Sequence, residues 1–206
     1  MLKTFSAQVV ALATVLLCGA APVLAGTPGF KSGQYETLML AVTPDHRIEG
    51  YYSEELGQGV TRHCTFYLQG KIDDTAYTPV TTWLDEAFPG TVAPVENGVT
   101  LTVERGREHP GCPSVLMPEI TTGLELSQTA SKPWIGLVTI AADKAYLLKA
   151  AGGKTAKRPY IVKEDVVGVL AYKEGWARVE YINPHGRSFI GWIRDDQYIH
   201  QAAPGN

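Results

Sequence analysis

The chain has 206 residues, with 18 Lys and Arg against 21 Asp and Glu and a formal net charge of −3 at pH 7. That mild acidity supplies no global field for nucleic acid or an anionic lipid surface. The length suits one large or two small domains.

The N-terminus carries Lys3, an almost wholly apolar run from Val9 to Leu17, and small residues through Ala20-Ala21-Pro22-Val23-Leu24-Ala25. This order of charge, apolar run and small residues predicts a signal peptide over residues 1–25, cleaved after Ala25. The apolar run is shorter than the about 20 residues of a membrane span, and no later segment approaches that length, so no span is expected. Cys18, at the end of the run, offers a rival reading as a lipidated cysteine, although Leu17 stands where that processing takes a small residue. The expected location is periplasmic or secreted.

Beyond the leader two cysteines remain, Cys64 and Cys112. In an exported chain two cysteines read as one disulfide. It would close a loop of 48 positions (112 − 64), worth about 4 kcal/mol in the loop-entropy model. A redox pair is the alternative, but no C-x-x-C is present.

Helical periodicity is nearly absent. Residues 81–88, "TTWLDEAF", are the one candidate for a helical turn or two. Elsewhere β-branched and aromatic runs alternate with turn residues, which predicts an all-β protein. Strands are expected over 36–42, 47–53, 60–70, 98–104, 123–126 and 135–140. Around Cys64 the alternation is clear: Cys64, Phe66 and Leu68 share one face, while His63, Thr65, Tyr67 and Gln69 share the other. Residues 26–140 therefore read as a small β barrel or sandwich with one disulfide, and a barrel would suit an interior pocket. Trp83 and Trp134 are expected to anchor cores, and of Tyr51 and Tyr52 one should face inward. The join at Ala141-Ala142-Asp143-Lys144 has neither Gly nor Pro, which predicts two units packed together.

Residues 141–206 carry a different order. Tyr146-Leu147-Leu148 starts a strand, a loop rich in Gly and Lys follows, then "EDVVGVL", "EGWARVEY", a hairpin turn, "GWI" and "RDDQYI". Asp165-Val166-Val167, Gly175-Trp176 with Val179, Gly191-Trp192-Ile193 and Tyr198 resemble a bacterial SH3-like domain over about residues 144–199. The resemblance implies an SH3-like barrel in which Trp176 and Tyr198 line a peptide groove, with Arg178 and Tyr146 as further ligand-binding candidates. This chain departs from the proline-peptide binders of that family. Its first long loop carries Lys154, Lys157 and Arg158 in place of acids, and Arg194 replaces an expected proline. Alternation places Ala177, Val179 and Tyr181 on one face of the central strand, and Trp176, Arg178 and Glu180 on a solvated one. Trp192, beside Ile190, reads as structural.

No H-E-x-x-H, G-x-S-x-G, P-loop or EF-hand pattern is present. His63 and His109 flank the two cysteines, as surface residues beside a disulfide or as ligands of a Cys2His2 zinc site if the thiols were free. The disulfide reading leaves neither metal nor cofactor. These observations predict an exported non-catalytic binding protein of the cell envelope, with a peptide, peptidoglycan or protein partner. The alternatives are a periplasmic inhibitor or immunity protein, and an enzyme with dispersed residues such as His109 with Glu104 or Glu108.

Overall fold

The computed structural model describes residues 29–58, 61–73, 75–154 and 159–204. The expected leader and Cys18 lie outside them. The protein is all-β.

Eight strands form a closed antiparallel barrel in chain order: β1 (Gly33–Tyr35), β2 (Leu38–Val42), β3 (Arg47–Leu56), β4 (Arg62–Lys71), β5 (Thr78–Trp83), β6 (Ala87–Val95), β7 (Gly98–Thr102) and β8 (Leu124–Ser131). β8 closes the ring on β1, with Gly33 opposite Ser131. The barrel alternative, rather than the sandwich, is the one realised.

Period-2 patterning explains the interior. Cys64, Phe66 and Leu68 point inward as expected, each no more than 1% exposed. Tyr52 enters the core while Tyr51 faces out. Leu38, Leu40, Ile48, Val92, Val99 and Leu101 fill the rest. An eight-stranded barrel is just wide enough to be filled by side chains, and these residues occupy the space where an interior pocket was expected.

Residues 81–88 are not helical. They form the β5–β6 hairpin, with Thr82 opposite Phe88 and Trp83 opposite Ala87. Thr78, Val80 and Thr82 alternate into the core. A helix of two turns would gain too few hydrogen bonds to offset its nucleation, whereas the β-branched run completes the ring.

After β7 the chain crosses one end of the barrel in three 3-10 turns, Gly106–Glu108, Cys112–Ser114 and Pro118–Thr121. Val115, Leu116 and Ile120 plug that end, and Cys64–Cys112 is bonded, pinning the plug to β4. Gly111 has φ +80°, and a Cβ there would lie 2.0 Å from the His63 carbonyl oxygen, so glycine is required.

The rest of the chain forms a second unit: β9 (Gly136–Ile140), β10 (Lys144–Tyr146), β11 (Tyr160–Val162), β12 (Val166–Lys173), β13 (Trp176–Ile182), β14 (Ser188–Arg194) and β15 (Tyr198–Ile199). Five strands make a half-barrel sheet in the order β14-β13-β12-β9-β15, and β10 pairs with β11. Its inner face packs Val138, Ile140, Leu147, Val167, Val179 and Ile193.

β9 corrects the expected boundary. Residues 136–140, placed by sequence with the first unit, bond to β12 and β15 in the second sheet. All five are buried: Val138 and Ile140 face the second core, and Leu137 packs with Trp134 and Val166 against Ala41, Met39 and Tyr51 of the barrel. A strand covered on both faces reads as a continuous apolar run, with no periodicity to tell which unit owns it.

Candidate binding face of the C-terminal sheet

β12, β13 and β14 form a meander whose first turn is made by Gly175 at φ +73°. Residues directly opposite one another on antiparallel strands share a face. Trp176 stands between Lys173 on β12 and Arg194 on β14. Arg178 stands between Ala171 and Trp192. The outer face of the sheet therefore carries two tryptophans and three cations in two adjacent rows. Trp176 and Trp192 are half-buried, while Lys173, Arg178 and Arg194 are exposed. The Arg194 guanidinium donates to Asp196 at 2.8 Å. Among the described residues Arg178 and Lys173 have no carboxylate partner.

Trp192, read from the sequence as structural beside Ile190, lies on this outer face. Its neighbours Gly191 and Ile193 point inward: Ile193 joins the core, and a Cβ on Gly191 would lie 2.6 Å from that of Leu147. Alternation then turns Trp192 and Ile190 outward, and Ile190 is 50% exposed. The apolar composition of "SFIGWI" concealed which half of it packs.

The other sequence candidates lie elsewhere. Tyr198, on edge strand β15, packs against the inner core and sets its ring edge-on to His200 at 5.7 Å; His200 also meets Tyr172 at 5.9 Å. Tyr146 meets Tyr160 at 5.8 Å on the β10–β11 ribbon. Trp176 and Arg178 are thus brought together, with Trp192 added, whereas Tyr198 and Tyr146 make their ring contacts outside that face.

Glu180 was expected on a solvated face but is 5% exposed. Its carboxylate accepts bonds from Lys132 Nζ at 2.6 Å, Trp134 Nε1 at 2.8 Å and Ser188 Oγ at 2.6 Å. Burial pushes this carboxyl up, but the bonds from Lys132, Ser188 and Trp134 outweigh that and hold its pKa below the ordinary value. Trp134 lies against Gly168, where a Cβ would fall 2.3 Å from the indole. The chain entering the second unit is therefore clamped onto the sheet. Period-2 reading missed this because Trp134 and Lys132, 46 and 48 positions away, supply the cover.

The histidines separate. His63 is exposed, 3.8 Å from Glu55. His109, expected at the surface, is fully buried. Its ring stacks on Phe66 at 4.8 Å and meets Phe88 at 4.7 Å, and Nε2 lies 3.0 Å from Thr82 Oγ1. Glu104 is exposed, and Glu108 is also exposed and paired with Arg105. The contacts of the His109 ring are aromatic rings and a hydroxyl, which form no acid/base pair. Among the described residues no three His, Cys, Asp or Glu side chains group as metal ligands, and no helix is long and apolar enough to cross a membrane.

A cleft of ≈ 540 Å³ between the units is lined by Glu36, Glu55, Glu164, Asp165, Tyr51 and Tyr181 among others, with no Lys or Arg in its walls. Desolvation raises the Asp165 pKa despite the bond from the Val162 amide.

No protein-family model, curated protein or solved structure matches the chain.

Proposed function

We propose that the chain is an exported, non-catalytic binding protein of the bacterial cell envelope, whose C-terminal unit is an SH3-like module that holds a peptide, peptidoglycan or protein partner. One observation carries the reading: on the outer face of the sheet the half-buried Trp176 and Trp192 flank the exposed Arg178, which among the described residues has no carboxylate partner. Half-exposed indoles offer flat apolar area at low entropic cost, and arginine with tryptophan is the composition typical of binding hot spots. The motif order of residues 144–199 and the five-stranded half-barrel sheet support the SH3-like assignment. The signal-like N-terminus and the disulfide support export to an oxidising compartment. The burial of His109 against Phe66, Phe88 and Thr82, with Glu104 and Glu108 exposed, weighs against the dispersed-residue enzyme.

Immobilised wild-type protein is expected to capture a partner from envelope extract or from soluble peptidoglycan fragments, and Trp176→Ala and Arg178→Ala are expected to weaken that capture by about tenfold or more each. Capture that is unaffected in both variants would refute the assignment of the face.

A further inference from the structure

β14 ends the five-stranded sheet. Along an antiparallel strand, backbone groups point alternately toward and away from the paired neighbour. The Trp192 amide donates to the Leu148 carbonyl at 2.8 Å, and the Trp192 carbonyl accepts from the Leu148 amide at 3.0 Å. Trp192 thus points away from β13, and by the same parity so do Ser188 and Ile190. The opposite parity agrees: the Asp195 amide reaches Gly175, and the Arg187 carbonyl receives the Asn183 amide. Among the described residues nothing pairs the outward N–H and C=O groups of Ser188 and Ile190.

This edge is unprotected. Exposed edges are ordinarily blunted by proline, by a bulge or by lysine. Ser188-Phe189-Ile190 contains no proline and no charge, and the β13–β14 register runs without a shift. Leu148 shows that the edge accepts a strand residue; past it the chain turns away, the Gly153 amide bonding to the Ala150 carbonyl at 3.0 Å.

We propose that the Ser188–Ile190 edge receives an extended segment of a partner protein as an added strand, with apolar and acidic side chains in alternation. A residue opposite Ile190 shares its face and meets its exposed side chain, so it is apolar. The next residue points to the other face, where the exposed Arg187 guanidinium lies 5.0 Å from the centre of the Phe189 ring. Among the described residues Arg187 has no carboxylate partner, so an acidic residue complements it. A second copy of this chain would instead bring another Arg187 to the same short edge. This surface adjoins the Trp176–Arg178 face but rests on backbone parity, independently of that face.

The test is amide NMR on the isotope-labelled protein, titrated to millimolar concentration with a short blocked peptide of alternating Val and Glu, and separately with one of alternating Val and Lys. The Val–Glu peptide is expected to shift the Ser188 and Ile190 amides and slow their hydrogen exchange, and to bind about tenfold or more tightly than the Val–Lys peptide. Ile190→Pro removes only an outward amide, leaves the β13 ladder intact and should abolish binding; Ser188→Pro is the second variant should the first fail to fold. The proposal is overturned by unshifted Ser188 and Ile190 amides, by equal binding of the Val–Lys peptide, or by binding that survives both proline variants. Protection of the same amides by concentration-dependent dimerisation without peptide would assign the edge to a second copy and overturn it as well.

Discussion

Lowering the pH should destabilise the barrel through His109. Thr82 Oγ1 lies 3.2 Å from the Phe88 carbonyl and 3.0 Å from His109 Nε2. A hydroxyl that donates to the carbonyl accepts from Nε2–H, which leaves Nδ1 as the unprotonated nitrogen. Nδ1 is buried with no partner, so protonating it would place a charge between two phenylalanine rings with nothing to receive the proton. Burial accordingly pushes the His109 pKa down from 6.5 to about 4. The folded state holds the neutral ring, and the unfolded chain takes up its proton first as pH falls. The stability contributed by the neutral ring is present above the unfolded pKa and is lost between 6.5 and about 4. At about 1.4 kcal/mol per pK unit the loss is about 3 kcal/mol, a large share of the about 5–15 kcal/mol typical of a domain. Urea denaturation of the disulfide-intact protein at a series of pH values measures it. His109→Gln keeps an amide within reach of Thr82 but cannot titrate, so its stability profile should be flatter than wild type in this window by up to about 1.4 kcal/mol per pH unit. Parallel profiles for the two proteins would refute the account of His109.

Replacing Cys64 and Cys112 together by serine should lower stability by about 4 kcal/mol on the loop-entropy model, read as a lower urea midpoint; a loss under about 1 kcal/mol would mean that the plug over the barrel end is held without the crosslink. Glu180→Gln should cost about 1–3 kcal/mol, because Lys132 loses its counter-charge while retaining some access to water. Lys132→Met in the same chain should recover part of that cost, and additive losses in the double-mutant cycle would show that the pair is not coupled.

What sequence reasoning recovered is what period-2 alternation and residue chemistry report locally. Cys64, Phe66 and Leu68 declared their face, and the cysteines declared their bond. What it missed depends on partners distant in the chain. Residues 81–88 carry Leu84 and Phe88 at helical spacing, and only the need to close the ring between β4 and β7 makes them a hairpin. Glu180 looks solvated until Lys132 and Trp134 are laid over it. Trp192 looks buried because its neighbours are apolar, yet Leu147 packs against Gly191 and turns the indole outward. Of the proposed ligand residues, Trp176 and Arg178 share a strand and a parity, so their common face was readable. Tyr198 and Tyr146 sit on other strands, and the resemblance alone grouped them with Trp176. The signal for Trp192 was present in the i, i+2 relation to Ile190 and the pairing of its strand with 176–182.

The most direct test of the binding role is capture by immobilised protein from envelope extract and from soluble peptidoglycan fragments, comparing wild type with Trp176→Ala, Arg178→Glu and Trp192→Ala, each first shown to unfold at the wild-type urea midpoint. The account predicts a specific bound partner whose retention falls about tenfold or more in each variant. Equal retention by wild type and all three folded variants would contradict it.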